Sequence, residues 1–232
     1  MMKVVQCWDD GIINDERLTN LFRKYGAKAT FNLNPGLMDP EKRGTSRWVQ
    51  PGEEPGWSYK GFLDAKLSLK DIPVVYKGFK VASHCWRHEN AGAMPDNEWI
   101  KCAVDARKLL EDIVQESCPG LAWPCGRHTQ GTIDLLRENG FIYGRTTEST
   151  YDVTACKEPL AIAANCHFQS PDFWERYRRA KETGVFYFWG HSYELMHYED
   201  LWNEFEKTIK YITDDPDTEW AYVADIVPLL KR

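Results

Sequence analysis

Apolar and polar positions alternate in blocks along this chain, and the period of the pattern changes from block to block. VVQCWDD (4–10) is a short apolar run that stops at two acids and a glycine, and it reads as a buried strand ending in a loop. Leu18, Leu21, Phe22 and Tyr25 then recur at helical spacing, with Asn14 or Asp15 as the cap and Gly26 as the stop. ATFNLN (29–34) is a second strand, broken by Pro35-Gly36, and KGFKVASH (77–84) is a third. DNEWIKCAVDARKLLEDIVQES (96–117) is the clearest helix: Asp96 can cap it, and Trp99, Ala103, Ala106, Leu109, Leu110 and Ile113 line one face. GLAWPCG (120–126), FIYGRTT (141–147) and VFYFWGHSYE (185–194) read as further strands. TIDLLRENG (132–140), SPDFWERYRRAKETG (170–184, capped by Ser170) and LWNEFEKTIKYI (201–212) read as helices. WAYVADIVPLL (220–230) adds a last strand and a short helix.

Strands that alternate with helices at these intervals favour an α/β fold with a parallel sheet or barrel. An open doubly wound sheet satisfies the same pattern. No internal repeat or composition break divides the chain, so one domain over residues 1–232 is the simpler reading. The polar stretch DPEKRGTSRWVQPGEEPGW, rich in Gly, Pro and Trp, marks a loop-rich insertion at about 36–75.

Composition narrows the function. The formal net charge is -6 and no basic run resembles a phosphate-backbone footprint, so no nucleic-acid partner is expected. MMKVVQCWDDG holds no apolar run long enough for a signal peptide, and no window approaches a membrane span. The chain is therefore expected to be cytoplasmic and to have no membrane partner. Seven scattered cysteines without a CxxC pair do not form a disulfide framework. The chain has ten Trp, eleven Tyr and ten Phe; the Trp count is more than packing usually asks for, and exposed aromatic rings in a cleft suit sugar faces. Trp8, Trp123 and Trp189 sit on strands and suit the core, and Trp86 suits a buried wedge. Trp48 and Trp57, in the insertion, are better placed to face a substrate.

The chemistry gathers at strand ends. Asp9, Asp10, His84, His88, Pro124 and His191 all lie at or just past the C-terminal ends of expected strands. In a β/α barrel those ends share one face, where active sites form. Two imidazoles and one carboxylate there make a three-ligand zinc set with a position left for water. The other aspartate can then accept a proton. His128, His167 and His197 read as surface or structural residues, and Cys85 should diverge from its flanking histidines.

These residues resemble the polysaccharide deacetylase family, also called NodB-like or carbohydrate esterase family 4. CWDDG (7–11) looks like its first signature, and KATFNLN like the Ala-Thr-Phe strand that follows. HCWRH (84–88) keeps both histidines of the second, WPCG (123–126) keeps Pro and Gly of the third, and FYFWGHS (186–192) matches the late strand ending in His. The resemblance implies a distorted (β/α) barrel of the glycoside hydrolase–deacetylase type, often with seven strands. It implies Asp9 as general base, Asp10, His84 and His88 as ligands of one divalent metal ion, usually Zn2+, and His191 as the proton donor to the leaving amine. The implied activity is metal-dependent removal of acetyl groups from N-acetylated sugars, on a small or short-chain acetylated carbohydrate. The alternatives are an amidase or deacylase on a non-sugar amide or ureide, and a catalytically weakened barrel that binds carbohydrate.

Three positions depart from the family. Cys85 replaces a Ser or Thr. Cys125 replaces a Tyr at a position whose backbone N–H often serves the oxyanion. Ala122 replaces the Arg that orients the base, and Arg127 or Arg145 could reach the same space. The family's Asp before Trp has no clean counterpart, which leaves Asp152, Asp172 and Asp225 as candidate partners for His191.

Overall fold

The structure, a computed structural model, describes residues 1–231. Its centre is β1 (Met2–Asp9), whose side chains alternate between two cores. Val4 and Trp8 face the helices, among Phe22, Phe31, Phe186, Phe188 and Phe205. Val5 and Cys7 face inward, with Tyr143 and Tyr187. The period of two carries on to Asp9, which therefore points inward at the top of the strand.

Around β1 stand β2 (Thr30–Leu33), β3 (Lys80–Ser83), β4 (Gly120–Ala122) and β5 (Tyr143–Ser149) on one side. Beyond them come β6 (Ile162–Ala164), β7 (Cys166–His167) and β8 (Val185–Gly190), all parallel. β5 pairs with β6, and β7 pairs with β8, which returns to β1. β6 and β7 are two halves of one stave, separated by Asn165. Counted so, the ring has seven staves and closes as a distorted (β/α) barrel. β9 (Thr218–Ala221) lies outside the ring and pairs with residues Met2–Val5 of β1.

The split stave is the element that the hydrophobic pattern does not announce. Its two apolar pieces are too short to show a period, and the residue between them is polar. Asn165 makes the joint work because it is fully buried and bonds to both neighbours. Its Oδ1 accepts from the Tyr187 N–H at 2.7 Å, and its Nδ2 donates to the Thr150 carbonyl at 3.2 Å.

The five long helices are α1 (Asp15–Tyr25), α2 (Asp96–Val114), α3 (Gln130–Glu138), α4 (Phe173–Thr183) and α5 (Glu199–Asp214). Gly26 stops α1 in the left-handed region (φ 64°), as the sequence suggests. The caps expected from the sequence are corrected. Asn14 stands at the N-cap of α1 but its side chain makes no capping bond, and Asp15 is buried, accepting from the Ser192 and Tyr76 hydroxyls. Pro95, not Asp96, precedes α2, and Asp96 accepts from the Thr129 hydroxyl at 3.1 Å. Asp172, not Ser170, stands before α4, and it accepts from Arg176 at 2.7 Å. In each case the carboxylate serves a bond between side chains, which outweighs the local capping preference.

The expected insertion contains two short antiparallel strands, Arg47–Trp48 and Phe62–Leu63, and the turn of helix Ile72–Val75. It returns to the barrel where Lys66 bridges to Ile12.

Asn165→Ala removes a donor and an acceptor from buried backbone groups at the barrel's closing joint. It should cost about 2–3 kcal/mol in urea unfolding; an unchanged midpoint would show that the joint does not depend on this side chain.

Candidate active site

The staves bring Asp9, Asp10, His84, His88, Cys125, Arg145 and His191 to the rim of one cavity of about 570 Å³. Four backbone positions in or beside the site lie in the left-handed region: Asp10 (φ 86°), Cys85 (φ 61°), His88 (φ 65°) and Cys125 (φ 52°). Non-glycine residues occupy that region at a cost of about 1–3 kcal/mol each, so their surroundings must hold them there. At Asp10 the hold is visible. Lys66 Nζ donates to the Asp10 carbonyl at 2.6 Å and to Asn34 Oδ1 at 2.8 Å, and it lies 3.4 Å from Asp10 Oδ1. At Cys85 the hold comes from Ser83, whose hydroxyl accepts the Cys85 N–H at 3.2 Å and donates to the Ala103 carbonyl. The Cys85 side chain is buried beside Trp99 and Trp123 and is not among the residues lining the cavity.

Asp10, His84 and His88 place one ligand atom each within 4.8 Å of the others. The two imidazoles stand nearly perpendicular, 4.7 Å apart. His84 Nδ1 lies 2.8 Å from the Ala122 carbonyl, an acceptor, so the ring carries its proton on Nδ1 and presents the Nε2 lone pair. Burial takes the His84 pKa down to about 4, against the pull of Asp9 and Asp10, so the ring is neutral at neutral pH. Burial also works to raise the Asp10 pKa, but Lys66 and the nearby histidines outweigh it and hold this carboxyl well below the usual range. Two neutral-capable nitrogens and one anionic oxygen fit a zinc-type divalent ion.

Asp9 is almost fully buried, and both its oxygens are engaged. Oδ1 accepts from Asn32 Nδ2 at 2.7 Å, and Oδ2 takes a short bond from Arg145 Nη2. Burial works to raise the Asp9 pKa, yet Arg145, with His84 and His191, holds it below the usual carboxylate value. Arg145 is itself buried, with its guanidinium 4.5 Å from the Trp189 ring. Strand register explains its place: Arg145 on β5 is the direct partner of Ala122 on β4. An arginine absent from one stave therefore stands at the same height on the next. Arg127 is exposed beyond the turn Pro124–Gly126 and does not line the cavity.

His191 Nε2 points between the aspartates, 3.9 Å from Asp9 Oδ2 and 4.0 Å from Asp10 Oδ2. Its partner is Glu194, which corrects the expectation of Asp152, Asp172 or Asp225. Glu194 Oε2 accepts from the His191 backbone N–H at 2.9 Å and lies 3.3 Å from His191 Nδ1. Asp152 bonds to Thr154, Asp172 to Arg176, and Asp225 to the Tyr222 N–H. Burial alone would lower the His191 pKa, but Glu194, Asp10 and Asp9 raise it above the usual imidazole value. His191 can therefore carry a proton.

The insertion supplies Leu37, Trp57, Asp64 and Lys66 to the cavity wall. Trp57 packs against Tyr193 at 4.9 Å, and Tyr193 stacks on His191 at 4.7 Å. Trp48 packs on Phe62 away from the cavity. Trp123 is buried and stacked on Trp99, whereas Trp189 is only partly buried and lines the cavity with it. Trp86 is partly buried against Gly36, where a Cβ would meet its ring at 2.3 Å. Lys66, Glu194, Asn32 and Asn34 are site residues that the motifs do not mark. The NLN run before Pro35 offered a faint signal: Asn32 and Asn34, two apart, share a face near the strand's end.

A sequence profile of polysaccharide deacetylases matches residues 2–144. The chain belongs to the polysaccharide deacetylase family. The match covers Asp9, Asp10, His84, His88 and Cys125 and stops one residue before Arg145. A search of curated proteins finds no match. Among solved structures, the chain is similar to the Streptococcus pyogenes deacetylase PplD in complex with acetate. The two are 20% identical over 68% of this chain and 61% of that one, with a TM-score of 0.53. A family 4 acetyl xylan esterase from Clostridium thermocellum, solved with a cobalt ion, is 14% identical over 97% and 90% of the two chains, at a TM-score of 0.57. BA3943 from Bacillus anthracis, a pseudoenzyme of the same family, is 11% identical over 100% and 67%, at a TM-score of 0.59. At these identities the likeness shows the shared barrel.

Arg145→Met leaves Asp9 buried without its cation and should cost about 3–5 kcal/mol in urea unfolding. The double variant Asp9→Asn/Arg145→Met should recover most of that loss; equal destabilisation of both would mean that the pair itself is not what matters. Asp15, behind the His191 turn, gives a pH test. Burial pushes its pKa up to about 7 against the bonds from Ser192 and Tyr76. The folded state then binds this proton more tightly than the unfolded chain. Its contribution is full below the normal carboxylate pKa and is lost as pH rises through about 7. Wild type should lose melting temperature from about pH 5 to about pH 8 more steeply than Asp15→Asn; parallel profiles would refute the assignment.

Proposed function

We propose that the protein is a metal-dependent deacetylase that removes acetyl groups from N-acetylated sugars. The observation that carries this reading is the pairing of Asp9 with Arg145 beside the Asp10–His84–His88 ligand set, with His191 facing both aspartates. Asp10, His84 and His88 would hold the ion. Once bound, a divalent ion supplies Lewis acidity, polarising a carbonyl and lowering the pKa of water.

The chain's own residues supply the rest. Asp9 takes the proton of the attacking water, and Asn32 and Arg145 fix its two oxygens. Its depressed pKa makes it a weak base, so its usefulness depends on placement more than on basicity. His191, with its raised pKa, gives a proton to the departing nitrogen. The peptide at Cys125 lines the cavity with φ 52°, which supports a role near the developing oxyanion. Acetate and a free amine are the products.

The cavity's size and the wall built by the insertion support a small or short-chain carbohydrate over an insoluble polymer. The second reading is an amidase on a compact non-sugar amide or ureide, which a cavity of this size would also admit. The pseudoenzyme of like fold keeps a binding-only barrel in view, and the Asp9–Arg145 pair argues against it.

The test is zinc content and hydrolysis measured together across N-acetyl sugars of increasing length, acetylated xylan and cyclic ureides. His84→Ala or His88→Ala should lose tightly bound zinc and hydrolysis together. Asp9→Asn, checked for folding by its melting curve, should keep zinc and lose at least about 100-fold in kcat. A fully active Asp9→Asn protein would overturn the assignment of the base. Turnover of the ureides alone would move the function to the second reading.

A further inference from the structure

His167 stands outside every motif of the family, on β7 in the split stave, yet it reaches the proton donor's partner. Its Nε2 lies 2.8 Å from Glu194 Oε2, the oxygen that also faces His191 Nδ1. By distance alone, His167, His191 and Glu194 form a second potential metal site, with ligand atoms within 4.8 Å of one another. The far side of the His167 ring decides against that. The Gln169 backbone N–H donates to His167 Nδ1 at 3.2 Å. Nδ1 is therefore the bare nitrogen, and Nε2 carries the proton. A metal on Nε2 would need the opposite tautomer and would set two N–H groups against each other. At His84 the far nitrogen faces a carbonyl, and the near one is left free.

We infer that His167, Glu194 and His191 form one hydrogen-bonded chain in which His167 is a positioning residue for the proton donor. His167 Nε2–H fixes the Glu194 carboxylate, and that carboxylate fixes the His191 ring with Nε2 toward Asp9 and Asp10. Packing sets the outer ring: His167 meets Trp189 edge-on at 4.8 Å, and the Gln169 side chain donates to the Glu194 carbonyl at 3.3 Å. Burial would raise the Glu194 pKa, but its bonds to His167 and His191 take it down to about 2, so the middle of the chain stays an anion. The chain combines a residue from the split stave with two from the turn after β8. It exists only because that stave closes the ring.

The inference rests on reading His191 as the proton donor, and leaving groups separate the two claims. An amide needs its nitrogen protonated to depart, whereas the phenolate of para-nitrophenyl acetate departs unaided. With the full-length, zinc-loaded protein, His167→Phe should lower kcat on an N-acetyl amide about 10–100-fold, the usual effect of losing such an outer partner. KM and zinc content should hold, and hydrolysis of the aryl ester should change less than about twofold. His167→Gln, which keeps an N–H for Glu194, should recover most of the loss. An equal fall on both substrates, or no fall on the amide, overturns the inference. Should the wild type hydrolyse neither substrate, imidazole NMR decides instead. The His191 Nδ1–H proton should be protected at low field in the wild type and lost in both Glu194→Gln and His167→Phe. Its unchanged presence in His167→Phe overturns the chain.

Discussion

Two opposite charges, Asp9 and Arg145, are buried together across the mouth of the barrel, and most of the site follows from keeping them paired. Desolvating an ion pair costs several kcal/mol per charge, and close contact with further hydrogen bonds must offset it. Asn32 on β2 gives the second oxygen of Asp9 its partner, and the Trp189 face covers the guanidinium. The reach across the ring needs small neighbours, and Ala122 is one of them, beside Arg145 in register. The substitution that looks like a loss in the linear motif is a displacement by one stave. The carboxylate keeps its cation, and the cation now approaches from β5.

Period and strand-end logic made much of this legible. The alternation Val5, Cys7, Asp9 already implies an inward acid, and the histidines lie where the strands run out. The residues that escaped notice, or could not be chosen, depend on contacts that the linear pattern does not show. Arg145 could be nominated from sequence, but choosing it over Arg127 needed the β4–β5 register. Glu194 sits three residues from His191, yet nothing local separates it from the distant aspartates that competed for the role. Lys66 lies in an insertion that a reading by period can only label irregular. The helix caps failed for a related reason: Asp15 and Asp96 bond across elements, and Asp172 bonds to Arg176 one turn along its own helix.

The segment between β2 and β3 is more than an ornament on the barrel. Asp10 must leave β1 with a left-handed turn to aim its carboxylate beside His84 and His88, and that conformation is costly for an aspartate. Lys66 offsets the cost by bonding the Asp10 carbonyl and tying it to Asn34, just past the end of β2. It also sets a positive charge beside the Asp10 carboxylate, so the same contact that shapes the site tempers its negative charge. Leu37 and Trp57 narrow the cavity from the same segment. Shape, charge and ligand geometry are therefore coupled through one stretch of chain.

Three histidines on one barrel rim show how a single hydrogen bond assigns a role. His84 turns Nδ1 to a carbonyl, so Nε2 offers a lone pair, suited to a metal. His167 turns Nδ1 to a peptide N–H, so Nε2 must donate, suited to holding a carboxylate. His191 turns Nδ1 to that carboxylate and Nε2 to two aspartates, so its ring favours both protons and can release one. The side chains are identical, and the six-histidine count of the sequence cannot distinguish them. What distinguishes them is the group behind each ring: the Ala122 carbonyl, the Gln169 N–H or the Glu194 carboxylate. The state of each ring is thus a consequence of what it meets: a shift of one residue in β4 would take the Ala122 carbonyl away from His84, whereas His167 keeps the Gln169 N–H because the two lie in one local turn.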